Sequence, residues 1–190
     1  MDFEAMAQYL DQLELRQAVW LLLVAFVLHV LEETPQFKKW VNRHISTRFT
    51  WRDFLVNNGL GLAATAGLCW AVCRDPTPSL VFAFFVLAVW QCGFNILFHV
   101  VTTAIYGTYS PGLITSLVLY PPLIQYLSKL AARDELLGED IALRAMLLGG
   151  VLHAIVVVVQ VFLIPQVRRR LSNRTNSVAS KRLVGVPLHS

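Results

Sequence analysis

Apolar residues fall into five long blocks, residues 16–33, 54–73, 79–105, 112–129 and 142–164, separated by short polar stretches. A helix needs about 20 apolar residues to cross the hydrocarbon core of a bilayer, so each block predicts one membrane-spanning helix. Between the first two, "PQFKKWVNRHISTRF" places Phe37, Trp40, Val41, His44, Ile45 and Phe49 at helical spacing, with Lys38, Lys39, Arg43 and Arg48 interleaved. That pattern predicts an amphipathic helix lying in the membrane interface. "CRDPTPS" closes the second block with two prolines, which stop one helix and space the next. "YGTYSPG" closes the third: Gly107 breaks the helix, and Ser110 with Pro111 offers an N-cap and a first-position proline for the fourth. Pro121 and Pro122 predict a kink within that fourth span. No internal repeat is visible.

Composition agrees with the pattern. Hydrophobic residues make up 56% of the chain and charged ones 15%, against about 25% charged in soluble domains. The expected fold is an all-α polytopic membrane bundle over residues 1–167, followed by a basic, Ser/Asn-rich tail from Arg168 to Ser190 expected to be disordered. Asp2, Glu4, Asp11 and Glu14 stand where a cleavable leader would be basic, so the first block is read as a retained span. Cys69, Cys73 and Cys92 lie inside apolar blocks and suit packing rather than a disulfide framework.

Five spans put residues 34–53, the loop near 106–111 and the tail on one side, with eleven of the sixteen lysines and arginines. The positive-inside rule then places the C-terminus in the cytoplasm and the N-terminus outside, as expected for a bacterial inner membrane. These basic segments suit anionic headgroups, so membrane lipids are the expected partners and nucleic acid is not. Oligomeric state stays open.

The same topology gives depth to the polar residues inside the spans. His29, Glu32 and Glu33 end the first span at i, i+3 and i+4, one helix face. Asn57 and Asn58 open the second, Gln91, Asn95 and His99 form a stripe up the third with Thr102 and Thr103 beyond it, and the fifth carries His153 and Gln160. All gather toward the cytoplasmic half. An ionisable group inside a bilayer costs roughly 2.5 kcal/mol or more, so such residues face a bundle interior or cavity and point to function.

Metal coordination suits the set. Histidine and glutamate one helical turn apart present an imidazole and a carboxylate to one ion in helix bundles, and that donor mixture favours zinc or iron over calcium or magnesium. In this scheme His29, Glu32, His99 and His153 hold the metal, Glu33 moves protons as general base, and Asn58 with Asn95 orient ligands or substrate. The choice between the glutamates is open. A bland alternative makes both interfacial carboxylates, with His99 and His153 bonding each other or a carbonyl. Backbone amides at "TYSPG", with Tyr109 and Ser110, offer either plain capping or an anion site.

"HVLEE" in the first span, Asn57 and Asn58, "NILFH" in the third, "YSPG" before the fourth and a histidine in the last together resemble the HXXEE family of small multi-spanning membrane proteins. The resemblance covers most of residues 20–165. It implies a fold and a candidate site at His29, Glu32 and Glu33, extended to Asn58, Asn95, His99 and His153, without a reaction. The three histidine boxes of lipid desaturases are absent from this chain. The expected function is a metal-dependent membrane enzyme, a hydrolase or oxidoreductase acting on a lipid-like substrate at the cytoplasmic leaflet. Competing readings are an ion- or proton-coupled transporter, against which the dry outer halves and the missing inverted repeat argue, and a membrane scaffold.

Overall fold

The apolar blocks fold as helices, in a computed structural model that describes residues 12–158. In order they are α1 (Leu15–Ala18), α2 (Trp20–Glu33), α3 (Phe37–His44), α4 (Trp51–Arg74), α5 (Pro78–Ala88), a π-helical turn (Val89–Gly93), α6 (Phe94–Tyr106), α7 (Leu113–Arg133) and α8 (Glu139–Val158). No strand occurs among the described residues. The chain divides into two compact units, Met1–Gly150 and Val151–Ser190. Within the second, the described residues continue α8 as far as Val158. Gln160 and the basic tail lie outside the described residues.

Three stretches are long and apolar enough to cross a membrane: Leu15–Glu33, Trp51–Arg74 and Pro78–Tyr106. They match the first three expected spans. The fourth block forms the 21-residue α7, diluted by Tyr120, the two prolines and Lys129, and the apolar part of α8 is the shorter Leu143–Ile155. Large apolar side chains point outward along these helices, among them Val24, Leu31, Leu60, Ile105 and Val118. An exterior of that kind fits membrane association.

Inside the first unit the two ends of the bundle differ. Leu15, Val19 and Leu22 pack with Val72 of α4, Val81 and Phe84 of α5, and Leu127 and Ala131 of α7 into a dry core. Asp134 closes this end by accepting from the Leu15 amide at 3.3 Å, and Arg133 donates to the Leu13 carbonyl at 2.9 Å. Where the first span breaks at Val19, the Cys69 thiol donates to the Val19 carbonyl at 3.2 Å, a packing use of that cysteine. At the opposite end of α2 lie His29 and Glu33, both buried.

A polar cross-link joins the middle of the bundle. The Gln91 amide donates to the Gly61 carbonyl at 3.0 Å, and the Thr65 hydroxyl donates to the Gln91 amide oxygen at 2.6 Å. The π-helical turn that holds Gln91 adds a residue to its repeat, so the expected stripe divides: Gln91 serves α4 while Asn95 and His99 serve the site. Gly61 is pressed against this cross-link, since a Cβ there would lie 2.9 Å from Gln91 Nε2 and 3.0 Å from the Phe26 ring. Gly61→Ala is expected to destabilise the protein by about 1–3 kcal/mol, the usual cost of overpacking, and thermal unfolding in detergent checks it.

Helix α3 forms where an amphipathic helix was expected, but its apolar face is turned onto the protein. Trp40 and Val41 are buried. The Phe37 ring packs near Phe54, Phe98 and His99, and Trp40 lies edge-on to Phe98 and Tyr106. Aromatic side chains on α4 and α6 cover part of that face, so α3 closes one end of the bundle.

Candidate metal centre

Three buried side chains from α2 and α6 meet. His29 and His99 are fully buried and Glu33 is 4% exposed. One donor atom from each lies within 4.8 Å of the other two. Glu33 Oε1 is 3.6 Å from His29 Nε2 and 3.5 Å from His99 Nε2. Those separations are long for hydrogen bonds. Donors about 2.1 Å from one tetrahedral zinc ion stand about 3.4 Å apart, close to what is found. The group can hold a metal ion with two nitrogens and one oxygen, leaving a fourth position for another ligand.

The outer nitrogens of both rings are tied to the segment that begins α7. His29 Nδ1 is 2.9 Å from the Thr115 hydroxyl, which itself donates to the Gly112 carbonyl at 3.3 Å. Thr115 therefore accepts from His29, which puts the proton on Nδ1 and a lone pair on Nε2. His99 Nδ1 lies 2.9 Å from the Ser110 hydroxyl. Hydroxyl partners on the far nitrogens, with the near nitrogens turned inward, are what orients imidazole ligands in metal sites. Asn95 donates to His29 Nε2 at 2.8 Å, whereas His99 Nε2 has no hydrogen-bond partner. For an ion to reach His29, the Asn95 amide must turn aside.

Gly112 covers the two rings with backbone. A Cβ on it would stand 2.7 Å from Cε1 of both His29 and His99 and 2.8 Å from His99 Nε2. Its φ is +101°, in the region that favours glycine.

Glu32, one residue from Glu33, does something different. Its carboxylate accepts from the backbone amides of Gly112 and Ile114 at 3.2 Å each and of Thr115 at 2.8 Å, and from the Tyr109 hydroxyl. Desolvation and the adjoining carboxylate push the Tyr109 phenol up to about 12, so it stays a donor at neutral pH. Amides at a helix start attract anions, and here the anion comes from another helix. The expected Ser110 cap is thereby corrected: α7 begins at Leu113 with Gly112 as N-cap, and Ser110 turns its hydroxyl to His99 because Glu32 already occupies the amides.

The expected set is thus partly assembled. His29, Glu33, His99 and Asn95 come together; Asn58 donates to the Phe54 carbonyl at 3.2 Å and also acts on the Glu33 carboxylate. Glu32 points to the start of α7 instead of joining the imidazoles, and His153 belongs to the second compact unit. Ser110, Gly112, Thr115 and Tyr120 were not among the expected site residues, although Ser110 had been marked with Tyr109. The available signal was a polar step in an apolar span, with Thr115, Ser116 and Tyr120 at helical spacing.

A family model described as a protein of unknown function with an HXXEE motif matches residues 20–127. The chain belongs to the HXXEE family. Its motif is His29-Val30-Leu31-Glu32-Glu33, and the match takes in all three metal-compatible side chains and the α7 start while ending before His153. No curated protein and no solved structure matches the chain significantly.

Proposed function

We propose that this HXXEE protein is a metal-dependent integral-membrane enzyme in which His29, Glu33 and His99 hold one divalent ion, zinc or iron. The observation that carries this reading is that Glu33 Oε1 stands 3.5–3.6 Å from two buried imidazole nitrogens, too long for hydrogen bonding and close to the spacing around a single ion. A buried ring nitrogen without a partner, His99 Nε2, supports it, because leaving a polar atom unsatisfied costs about 1–3 kcal/mol unless something binds it.

An ion held by three protein ligands supplies Lewis acidity at its remaining position. The chain does the rest. Thr115 keeps the His29 imidazole protonated on its outer nitrogen, and Ser110 holds the outer nitrogen of His99, so that both rings are aimed inward. Asn95 and Asn58 position the polar groups around Glu33, and Phe37 with Gly112 keeps water from the rings. The substrate is lipid-like or otherwise apolar, reached from the cytoplasmic leaflet, in the five-span orientation that the basic residues favour.

Elemental mass spectrometry of protein purified without chelators tests the reading, wild type beside His99→Ala. Near-stoichiometric zinc or iron, lost in the variant, is expected; metal-free wild type overturns it. The Asn95 contact to His29 Nε2 favours one competitor, a proton-coupled carrier whose imidazoles hold protons. That reading expects metal-free protein and proton uptake into proteoliposomes that His29→Ala abolishes.

A further inference from the structure

Tyr120 is fully buried in α7, and its hydroxyl has no hydrogen-bond partner. Its ring centroid is 5.3 Å from that of His29. Asn95 bonds the same His29 ring, at Nε2. A tyrosine at such a position normally finds a partner. Two of the buried unsatisfied atoms, this hydroxyl and His99 Nε2, border the same group of side chains. Trp40 Nε1 also lacks a partner, but it belongs to the aromatic packing of α3.

We propose that Tyr120 is a ligand-binding residue of the centre: its hydroxyl donates a hydrogen bond to a small anionic or oxygen-bearing group seated at the ion's open position. The inference rests on the metal reading and adds the chemical class of what binds beside the ion, a compact acceptor such as a carboxylate, a carbonyl or a small inorganic anion. Among the described residues around that position, Ser110 and Thr115 are committed to the imidazoles and Glu32 to the α7 amides, while the Asn95 amide is the group that turns aside when the ion binds. Tyr120 adds a buried donor with no partner, and its rigid ring, fully buried in the hydrophobic cluster and 5.3 Å from the His29 ring between centroids, fixes where the hydroxyl points.

Azide binding to the cobalt-substituted protein tests this, because cobalt(II) reports its ligands by visible absorption. Full-length wild type and Tyr120→Phe are loaded with cobalt and titrated with azide in detergent. Unchanged cobalt content with azide affinity weakened about tenfold in Tyr120→Phe is the expected result, the scale of one lost hydrogen bond to a charged acceptor. Equal azide affinity in the two proteins overturns the inference while leaving the metal centre standing, and assigns the hydroxyl to a buried water. Wild type that takes up no cobalt overturns the metal reading, and the inference with it. Should Tyr120→Phe fail to fold, Tyr120→Met, of similar bulk and flexible, carries the same comparison.

Discussion

Gly112→Ala is expected to abolish metal binding and to lower the stability of the protein by roughly 2–5 kcal/mol. Two independent costs add. An L-residue in a left-handed conformation costs about 1–2 kcal/mol, and position 112 has φ +101°. The new methyl group would also stand 2.7–2.8 Å from ring atoms of both His29 and His99. Overpacking of that kind costs typically 1–3 kcal/mol, and neither ring is free to yield. His29 is held between Thr115 and Asn95, and His99 between Ser110 and the aromatic rings of Phe37 and Phe98. Any relief therefore requires breaking these bonds to force an imidazole aside, which spoils the donor spacing. Thermal unfolding in detergent and metal content measure the two effects separately.

Gly107→Ala isolates the backbone cost. That glycine is also left-handed, at φ +61°, but a Cβ on it would meet nothing within 4 Å. It should cost about 1 kcal/mol and leave metal content unchanged. If Gly112→Ala behaves like Gly107→Ala and still binds metal, backbone contact with the imidazoles has no functional weight.

The helices were legible in the sequence because apolar runs and their punctuation are local properties. The block 54–73 is Trp51–Arg74, and 79–105 is Pro78–Tyr106, bounded by the prolines and the glycine that marked them. His29, Asn95 and His99 stood out for the same reason, as polar groups in apolar runs. What could not be read locally was which neighbours compete for each group. Ser110 looked like a cap because it precedes Pro111, yet its hydroxyl goes to an imidazole once a carboxylate from α2 fills the amides of α7. Tyr120 reads as one more amphipathic residue in a span until its burial beside His29 is known. In α3 the spacing gave the apolar face correctly, while the surface it covers is made by residues far away in sequence, Phe98 and Tyr106.

Glu32 and Glu33 should separate cleanly when each is changed to glutamine. At i+3 and i+4 from His29 they sit on either side of the histidine's direction along the helix, so spacing alone cannot assign them. Partners decide. Glu33→Gln keeps the shape of the side chain but removes the anionic oxygen 3.5–3.6 Å from both ring nitrogens; metal is expected to be lost with stability of the metal-free protein little changed, because a buried carboxylate is itself costly. Glu32→Gln removes the charge that gathers three backbone amides and the Tyr109 hydroxyl. Charge-assisted bonds are worth about 1.5–3 kcal/mol each when well buried, and partial exposure of this carboxylate brings the total loss to about 2 kcal/mol. Metal content in Glu32→Gln should stay near wild type, since Gly112, Ser110 and Thr115 remain packed against the imidazoles. The reverse outcome, metal lost from Glu32→Gln and kept by Glu33→Gln, would make Glu32 the ligand and require the start of α7 to release it when an ion binds.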